Sequence, residues 1–151
     1  MKRFKGFSSV EMGITVILII AVMSIIVLYF NPTKKIAQKR NDQRTEDVTK
    51  VLNALSQYAS DNNGTLPDGI PVSNECNRSE YEMCKTNGSD CTNLVELEGF
   101  SNNQKYINSL PVDPRNDSAN GTGYNIVQNE SGRITVCAPS AELGQSVSAS
   151  K

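Results

Sequence analysis

Four cysteines are the side chains best suited to chemistry in this chain, which contains no histidine. Cys76, Cys84, Cys91 and Cys137 lack the paired C-x-x-C spacing of a zinc site. In an exported domain they are expected to form disulfides, and four cysteines allow three pairings that the sequence does not distinguish. We favour a local Cys76–Cys84 loop and a Cys91–Cys137 bridge from the loop region to the last strand.

A second group of side chains offers oxygen atoms. Asp113, Asn116 and Asp117 lie close together in sequence and could provide calcium ligands. No EF-hand pattern accompanies them, and the turn expected around Pro114 explains the same residue types. We therefore expect no metal and no other cofactor.

Motifs for catalysis are missing from the sequence. There is no G-x-S-x-G motif and no P-loop, and the cysteines are expected to be in bridges. An acid–base pair of carboxylates is the remaining route to catalysis. The chain is not expected to be an enzyme.

A long apolar segment follows Glu11, the one carboxylate near the start of the chain, and would determine where that carboxylate lies. Residues 12–30 carry no charge, and at about 1.5 Å per residue they span close to the roughly 30 Å thickness of a bilayer's hydrocarbon core. Lys2, Arg3 and Lys5 lie upstream. A carboxylate at the mouth of such a segment needs headgroup water or a partner, because burying an unpaired charge in lipid is costly.

Two ordinary explanations of this segment remain open. A secretory signal has an apolar core of about 7–15 residues before a small-residue cleavage site, whereas this core is longer and residues 29–32 make a poor site. A single-pass membrane anchor fits the length and composition better than a signal does, and only Gly6, Phe7 and Glu11 argue against it. The net charge of −1 gives no basic excess of the kind that nucleic-acid binding requires.

A second helix is expected after an interruption at residues 31–33, where Pro32 cannot continue the hydrogen-bond ladder. We expect a kink rather than a stop, because residues 34–61 contain no Gly or Pro. The mixed charges that open this stretch are expected to be solvated and paired among themselves. Beyond them, apolar residues follow the spacing of one helical face, at Val48, Val51, Leu52, Leu55, Tyr58 and Ala59. Gly64 is expected to end the helix in a left-handed conformation.

The rest of the chain is expected to form a small head. Residues 67–90 indicate a surface loop held by cysteines, and residues 92–100 a short helix. Alternating residues predict two strands around 124–126 and 133–137, joined by a turn at 129–132. The small polar residues of 140–151 indicate a loosely held tail.

The start of the chain resembles the class III leader and N-terminal segment of type IV pilins and type II secretion pseudopilins. The matching features are a short basic leader ending in Gly6, Phe7 as first mature residue, Glu11 as the fifth, and the long apolar run. Ser8 and Ser9 stand where the family usually has Thr and Leu. Residues 31–44, 47–48, 52–58 and 61–67 resemble the pilin-like helix and its end, and the Pro-x-Asp-Pro segment at 111–114 recurs in pilin-like heads.

The resemblance implies processing and assembly. A prepilin peptidase would cleave after Gly6 and methylate the new amine of Phe7, and Glu11 of one subunit would meet Phe7 of its neighbour. Major pseudopilins bind calcium in the region of Asp113, but the acidic loop that completes their site is not apparent here. The expected partners are other copies of the chain in a filament, the prepilin peptidase, an inner-membrane assembly platform and, before assembly, the bilayer.

The expected fold is α+β and pilin-like, with one long N-terminal helix packed on a small antiparallel sheet with disulfide-stapled loops. Its expected parts are a leader (1–6), a transmembrane or filament-core helix (7–30), an amphipathic helix (31–63), a head (64–139) and a flexible tail (140–151). The expected location is the cell membrane for the precursor and a surface filament thereafter. The alternative function is a single-pass, membrane-anchored extracellular binding domain that does not polymerise.

Overall fold

The structure, a computed structural model, describes residues 8–97, 99–100 and 105–151. The leader (1–6) and Phe7, and with them both predicted processing residues, Gly6 and Phe7, lie outside the described residues. The chain divides into two compact units, Met1–Ile36 and Ala37–Lys151, and each is described by itself.

Helix α1, Ser9–Phe30, is the predicted apolar helix. Ser8 precedes it in an extended conformation and acts as its N-cap. At the other end Asn31 adopts a left-handed conformation, with φ 33° and ψ 64°, and its N–H donates to the carbonyl of Val27. Asparagine tolerates this conformation better than most residues, so it suits a helix end.

Helix α2, Pro32–Asp61, begins immediately after this cap. Proline is favoured at the first position of a helix, because its missing N–H would have no partner there in any case. The predicted interruption is therefore found at Asn31. The predicted stop is also confirmed, since Gly64 has φ 84° and its N–H donates to the carbonyl of Ala59 at 2.7 Å.

A four-stranded antiparallel sheet forms the β part of the head. Its strands are β1 (Glu82–Cys84), β2 (Gly121–Gln128), β3 (Ile134–Ala138) and β4 (Val147–Ser150), in that spatial order. A short 3-10 turn, Ser79–Tyr81, precedes β1. The two strands that alternation predicted are β2 and β3, paired with Ile126 opposite Val136. This is the predicted α+β layout of a long N-terminal helical region, a small antiparallel sheet and two disulfides.

The core of the head lies between α2 and the sheet. Apolar residues of α2 share one buried cluster with residues of all four strands, including Val51, Leu55, Met83, Ile126, Val136 and Val147. The predicted apolar face of α2 is therefore the face that packs. Burial of such side chains, at roughly 25 cal/mol per Å² of apolar surface, is the main stabilising term for a head of this size.

The predictions for residues 92–100 and for the final segment are wrong. The segment 92–100 is not helical where the structure describes it, because Val95 forms a parallel bridge with Met83 and buries alongside Leu97, two residues on. Burial at every second residue is the period of a strand. The final segment is not a loose tail either, since β4 pairs with β3 and places Val147 opposite Ala138.

Candidate assembly segment and head network

The start of α1 is closed by a capping box. The Ser8 N–H donates to Glu11 Oε2 at 2.9 Å, and the Ser8 hydroxyl accepts a longer bond from the N–H of Val10 at 3.4 Å. The Glu11 carboxylate is thus folded back toward the positive end of the helix, where negative charge is stabilised. Glu11 therefore has a partner within its own chain, and its predicted partner Phe7 lies outside the described residues.

Ser8 is a helix-capping residue that the sequence interpretation missed. It was noted only as a departure from the usual family pattern. The spacing Ser8-x-x-Glu11 before an apolar run is the signature of a capping box and could have identified it.

The apolar side chains of α1 are uncovered. Large apolar residues along residues 10–27 are between 45% and 69% exposed, on every side of the helix. The hydroxyls of Thr15 and Ser24 donate to the carbonyls of Glu11 and Ile20 within the helix, so these two side chains need no partner outside it. The helix is long and apolar enough to cross a membrane, a property that signal sequences share. A surface of this kind requires lipid or protein around it.

The head contains a buried ion pair between Arg44 and Asp113. Both side chains are almost fully buried, and two parallel bonds join them, Nε to Oδ2 at 2.6 Å and Nη2 to Oδ1 at 3.1 Å. Gly123 makes room for this arrangement, because a Cβ at that position would lie 2.7 Å from the Cβ of Asp113. The hydrogen bond to Asp113 raises the pKa of Arg44 further above its usual value.

Glu142 extends the network from the C-terminal segment. Its carboxylate accepts two bonds from Arg40, each 2.6 Å, and further bonds from Arg44 at 3.0 Å and Arg115 at 3.2 Å. The bond from Arg40 is the largest cause of a fall in the pKa of Glu142 to about 2. We call Arg40, Asn41, Arg44, Asp113, Arg115 and Glu142 the arginine–carboxylate network; it joins α2, the Pro-x-Asp-Pro loop and the C-terminal segment.

The sequence predicted that the charged residues at the start of α2 pair with each other in solvent. For Arg40 and Arg44 this is wrong, because both pair with carboxylates from distant parts of the head. A signal for Arg44 was present, because it lies four and seven residues before Val48 and Val51, on the same helical face. An arginine on a buried face needs an acidic partner. Nothing local identified Asp113 as that partner.

A second polar contact joins α2 to the sheet. The hydroxyl of Tyr124 donates to Asp47 Oδ2 at 2.7 Å. Burial raises the pKa of both groups, so the phenol stays neutral to higher pH, whereas the Asp47 carboxylate is protonated at a higher pH than an exposed aspartate. Like the network, this contact links residues far apart in sequence and orients α2 on the sheet.

Of the three residues considered as calcium ligands, Asp113 and Asn116 have other roles, and Asp117 is exposed. The Asp113 carboxylate binds Arg44 and accepts the N–H of Arg115 at 2.8 Å. Asn116 donates to the carbonyl of Gly121 and accepts the N–H of Ser118, which shapes the turn. Among the described residues no group of three or more His, Cys, Asp or Glu side chains is placed to hold a metal ion.

All four cysteines form disulfides, but the favoured pairing is wrong. The bridges are Cys76–Cys137 and Cys84–Cys91. Cys137 lies on β3 opposite Asn125, whose side chain donates to the carbonyl of Cys76 at 2.8 Å and so holds the two cysteine segments together. Cys84 ends β1, a strand inside the region interpreted as loop, and closes a short loop to Cys91.

Comparison of the chain with protein-family models, with curated proteins and with solved structures finds no match. Any functional conclusion therefore depends on the residues and the geometry described above. The features that bear on it are the exposed apolar helix, the capped Glu11 and the disulfide-bridged head.

Proposed function

We propose that this chain is a structural subunit of a type IV pilus or pseudopilus-like filament. The observation that carries the proposal is α1, whose apolar side chains are exposed all around a 22-residue helix attached to a folded head. The Gly6-Phe7 and Glu11 landmarks precede it at the family's spacing. Burial of many such helices against one another would drive assembly, because it removes apolar surface from water.

Glu11 has a specific role in this proposal. Cleavage after Gly6 would leave an amine on Phe7 with a reference pKa of about 8, which methylation leaves charged. In the filament this cation would pair with Glu11 of a neighbouring subunit and set the axial stagger. Before assembly, the capping contact with Ser8 would satisfy the carboxylate within its own chain.

The remaining parts of the proposal follow from the two units. The precursor would be a single-pass membrane protein, and the head would face an oxidising compartment where its disulfides form. Its partners would be copies of itself, a prepilin peptidase, an inner-membrane assembly platform and the bilayer. The role would be structural, not catalytic, in a fibre for adhesion, motility, DNA uptake or secretion.

The test is Glu11→Ala, with Glu46→Ala as the matched control because Glu46 is an exposed acid on α2. Removing one partner of a buried ion pair typically costs about 3–5 kcal/mol, so sheared filament should fall sharply for Glu11→Ala alone. Leader cleavage and the melting temperature of the head should stay at wild-type values in both variants. Filament at the wild-type level in Glu11→Ala would reject the pairing. Absence of any filament from wild-type cells that process the chain would favour a non-polymerising membrane anchor.

A further inference from the structure

Leu143 has a backbone conformation that leucine rarely adopts. Its φ is 59°, that of Gly144 is 67°, and the N–H of Gln145 donates to the carbonyl of Glu142 at 3.1 Å. Positive φ at both central residues defines a type I′ turn, in which Asn and Gly are preferred. The other described non-glycine residues with positive φ are all asparagines, at 31, 63 and 93. Leucine is thus the exception at a position where asparagine would fit with less strain.

The turn is held rigidly from both sides. Asn41 accepts the N–H of Glu142 at 2.9 Å and donates to the carbonyl of Glu142 at 2.8 Å and to Gln145 Oε1 at 2.7 Å. The Glu142 carboxylate is fixed by the arginine–carboxylate network. Hydrogen bonds therefore hold the residues on both sides of the turn in place, while the side chain of Leu143 itself is 48% exposed.

Folding of the head does not explain this leucine. Its side chain is not part of the buried apolar cluster, and a less strained residue would keep every hydrogen bond of the turn. Strained residues persist where the surroundings over-determine them, and they concentrate at sites of function. A side chain whose backbone is already held in place loses less conformational freedom when it binds, which lowers the cost of an interface contact.

We propose that Leu143 is an intersubunit contact that packs against α1 of a second copy of this chain. The inference rests on the proposed function, because the filament is what would bring a second copy's α1 to Leu143. The chain itself carries a complementary surface. Ile20, Met23, Ser24 and Val27 line a shallow apolar recess on α1, at the i, i+3, i+4, i+7 spacing of a hole that receives one knob.

Ser24 makes the recess suitable for a leucine. Its side chain is small, and its hydroxyl is turned back to the carbonyl of Ile20 at 2.8 Å, so it presents little polar surface. A lipid surface is the less suitable partner for the turn. Arg40 and Arg115, the arginines beside it, are already paired with Glu142 and do not need anionic headgroups.

The test is site-specific photo-crosslinking in the full chain, in membranes of expressing cells and in sheared filaments. The photoreactive residue p-benzoylphenylalanine replaces Leu143 or, as the control, Val72, which is an aliphatic residue of the head that is 66% exposed. From position 143, peptide mapping should find adducts with residues 10–27 of a second copy. From position 72 it should find none. Adducts with lipid alone, with another head alone, or no inter-copy adduct at all would overturn the contact.

A substitution gives a second, independent measure. Leu143→Asn suits the turn, so the head should melt at the same or a higher temperature while sheared filament falls several-fold relative to Val72→Asn. Wild-type filament yield in Leu143→Asn would overturn the proposal. The two proposals fail separately. Adducts to a second α1 without filaments would reject the filament and keep the contact, whereas normal filaments without such adducts would reject the contact and keep the filament.

Discussion

At the scale of single residues, Arg44 shows that a charged side chain can be a core residue when its partner is fixed. Its guanidinium is enclosed with Asp113, and the geometry is bidentate. Leaving one buried charge without its partner is far costlier than losing the pair's net attraction. We expect Arg44→Met to lower the free energy of unfolding of the head by about 3–5 kcal/mol in urea titrations followed by circular dichroism.

The control for this variant is Arg133→Met, since Arg133 is exposed at the turn between β2 and β3. A surface substitution of this kind usually changes stability by less than about 0.5 kcal/mol. Replacing both partners, as Arg44→Met with Asp113→Leu, should recover part of the loss. Equal stability of Arg44→Met and the control would show that the buried pair does not hold the head together.

The lowered pKa of Glu142 predicts that acid destabilises the head. Its pKa is lowered from 4.5 to about 2, chiefly by the hydrogen bond from Arg40, so the folded head favours the charged form. The stabilisation is complete above the unfolded pKa and is lost as the pH falls from about 4.5 toward 2. The wild-type melting temperature should therefore drop over that interval, and Glu142→Gln should show a smaller drop from a lower starting value. Parallel curves for the two proteins would contradict this role.

At the scale of elements, the two disulfides should contribute differently to the free energy of unfolding of the head, because they close loops of different length. Cys76 and Cys137 are 61 residues apart, whereas Cys84 and Cys91 are 7 apart. The chain-entropy relation then gives about 4 kcal/mol for the long bridge and about 2 kcal/mol for the short one. Replacing each pair by serine should destabilise the head in that order. Non-reducing peptide mapping should find these two linkages and no free thiol; a Cys76–Cys84 peptide would contradict the structure.

Elements with a strong local apolar pattern, either periodic or continuous, were predictable from the sequence, and those that depend on distant partners were not. Helices α1 and α2 and strands β2 and β3 carry clear apolar patterns, and Gly64 marks the end of α2. Strand β4 consists largely of serine and alanine and pairs only because β3 offers an edge. The segment around Val95 was mistaken for a helix because its short apolar pattern suits either structure until β1 is known.

Among the residues of the candidate site, too, those with a local sequence signal were predictable and those with distant partners were not. Glu11 was identified from its place before an apolar run, and Ser8 could have been identified from its spacing to Glu11. The arginine–carboxylate network could not, because Arg44 and Asp113 are 69 positions apart and the pairing depends on how α2 packs on the sheet. The disulfide pairing failed for the same reason, since Asn125 and the strand register bring Cys76 to Cys137.

At the scale of the whole molecule, two units with opposite solvent requirements share one chain. The head is held by a buried core, two disulfides and a polar network. Helix α1 exposes apolar side chains whose contact with water is unfavourable. In the proposed precursor a membrane would surround α1, and in a filament neighbouring α1 helices would do so, so the proposed function accounts for both units.

The most direct test of this account is the intact mass of the protein purified from its native membranes. Processing by a prepilin peptidase would remove residues 1–6 and add one methyl group, so the account predicts a chain that begins with methylated Phe7. Gly6→Leu, which should block cleavage, supplies the uncleaved reference mass. A wild-type protein that retains Lys2–Gly6, or that starts at Phe7 without the methyl group, would contradict the account.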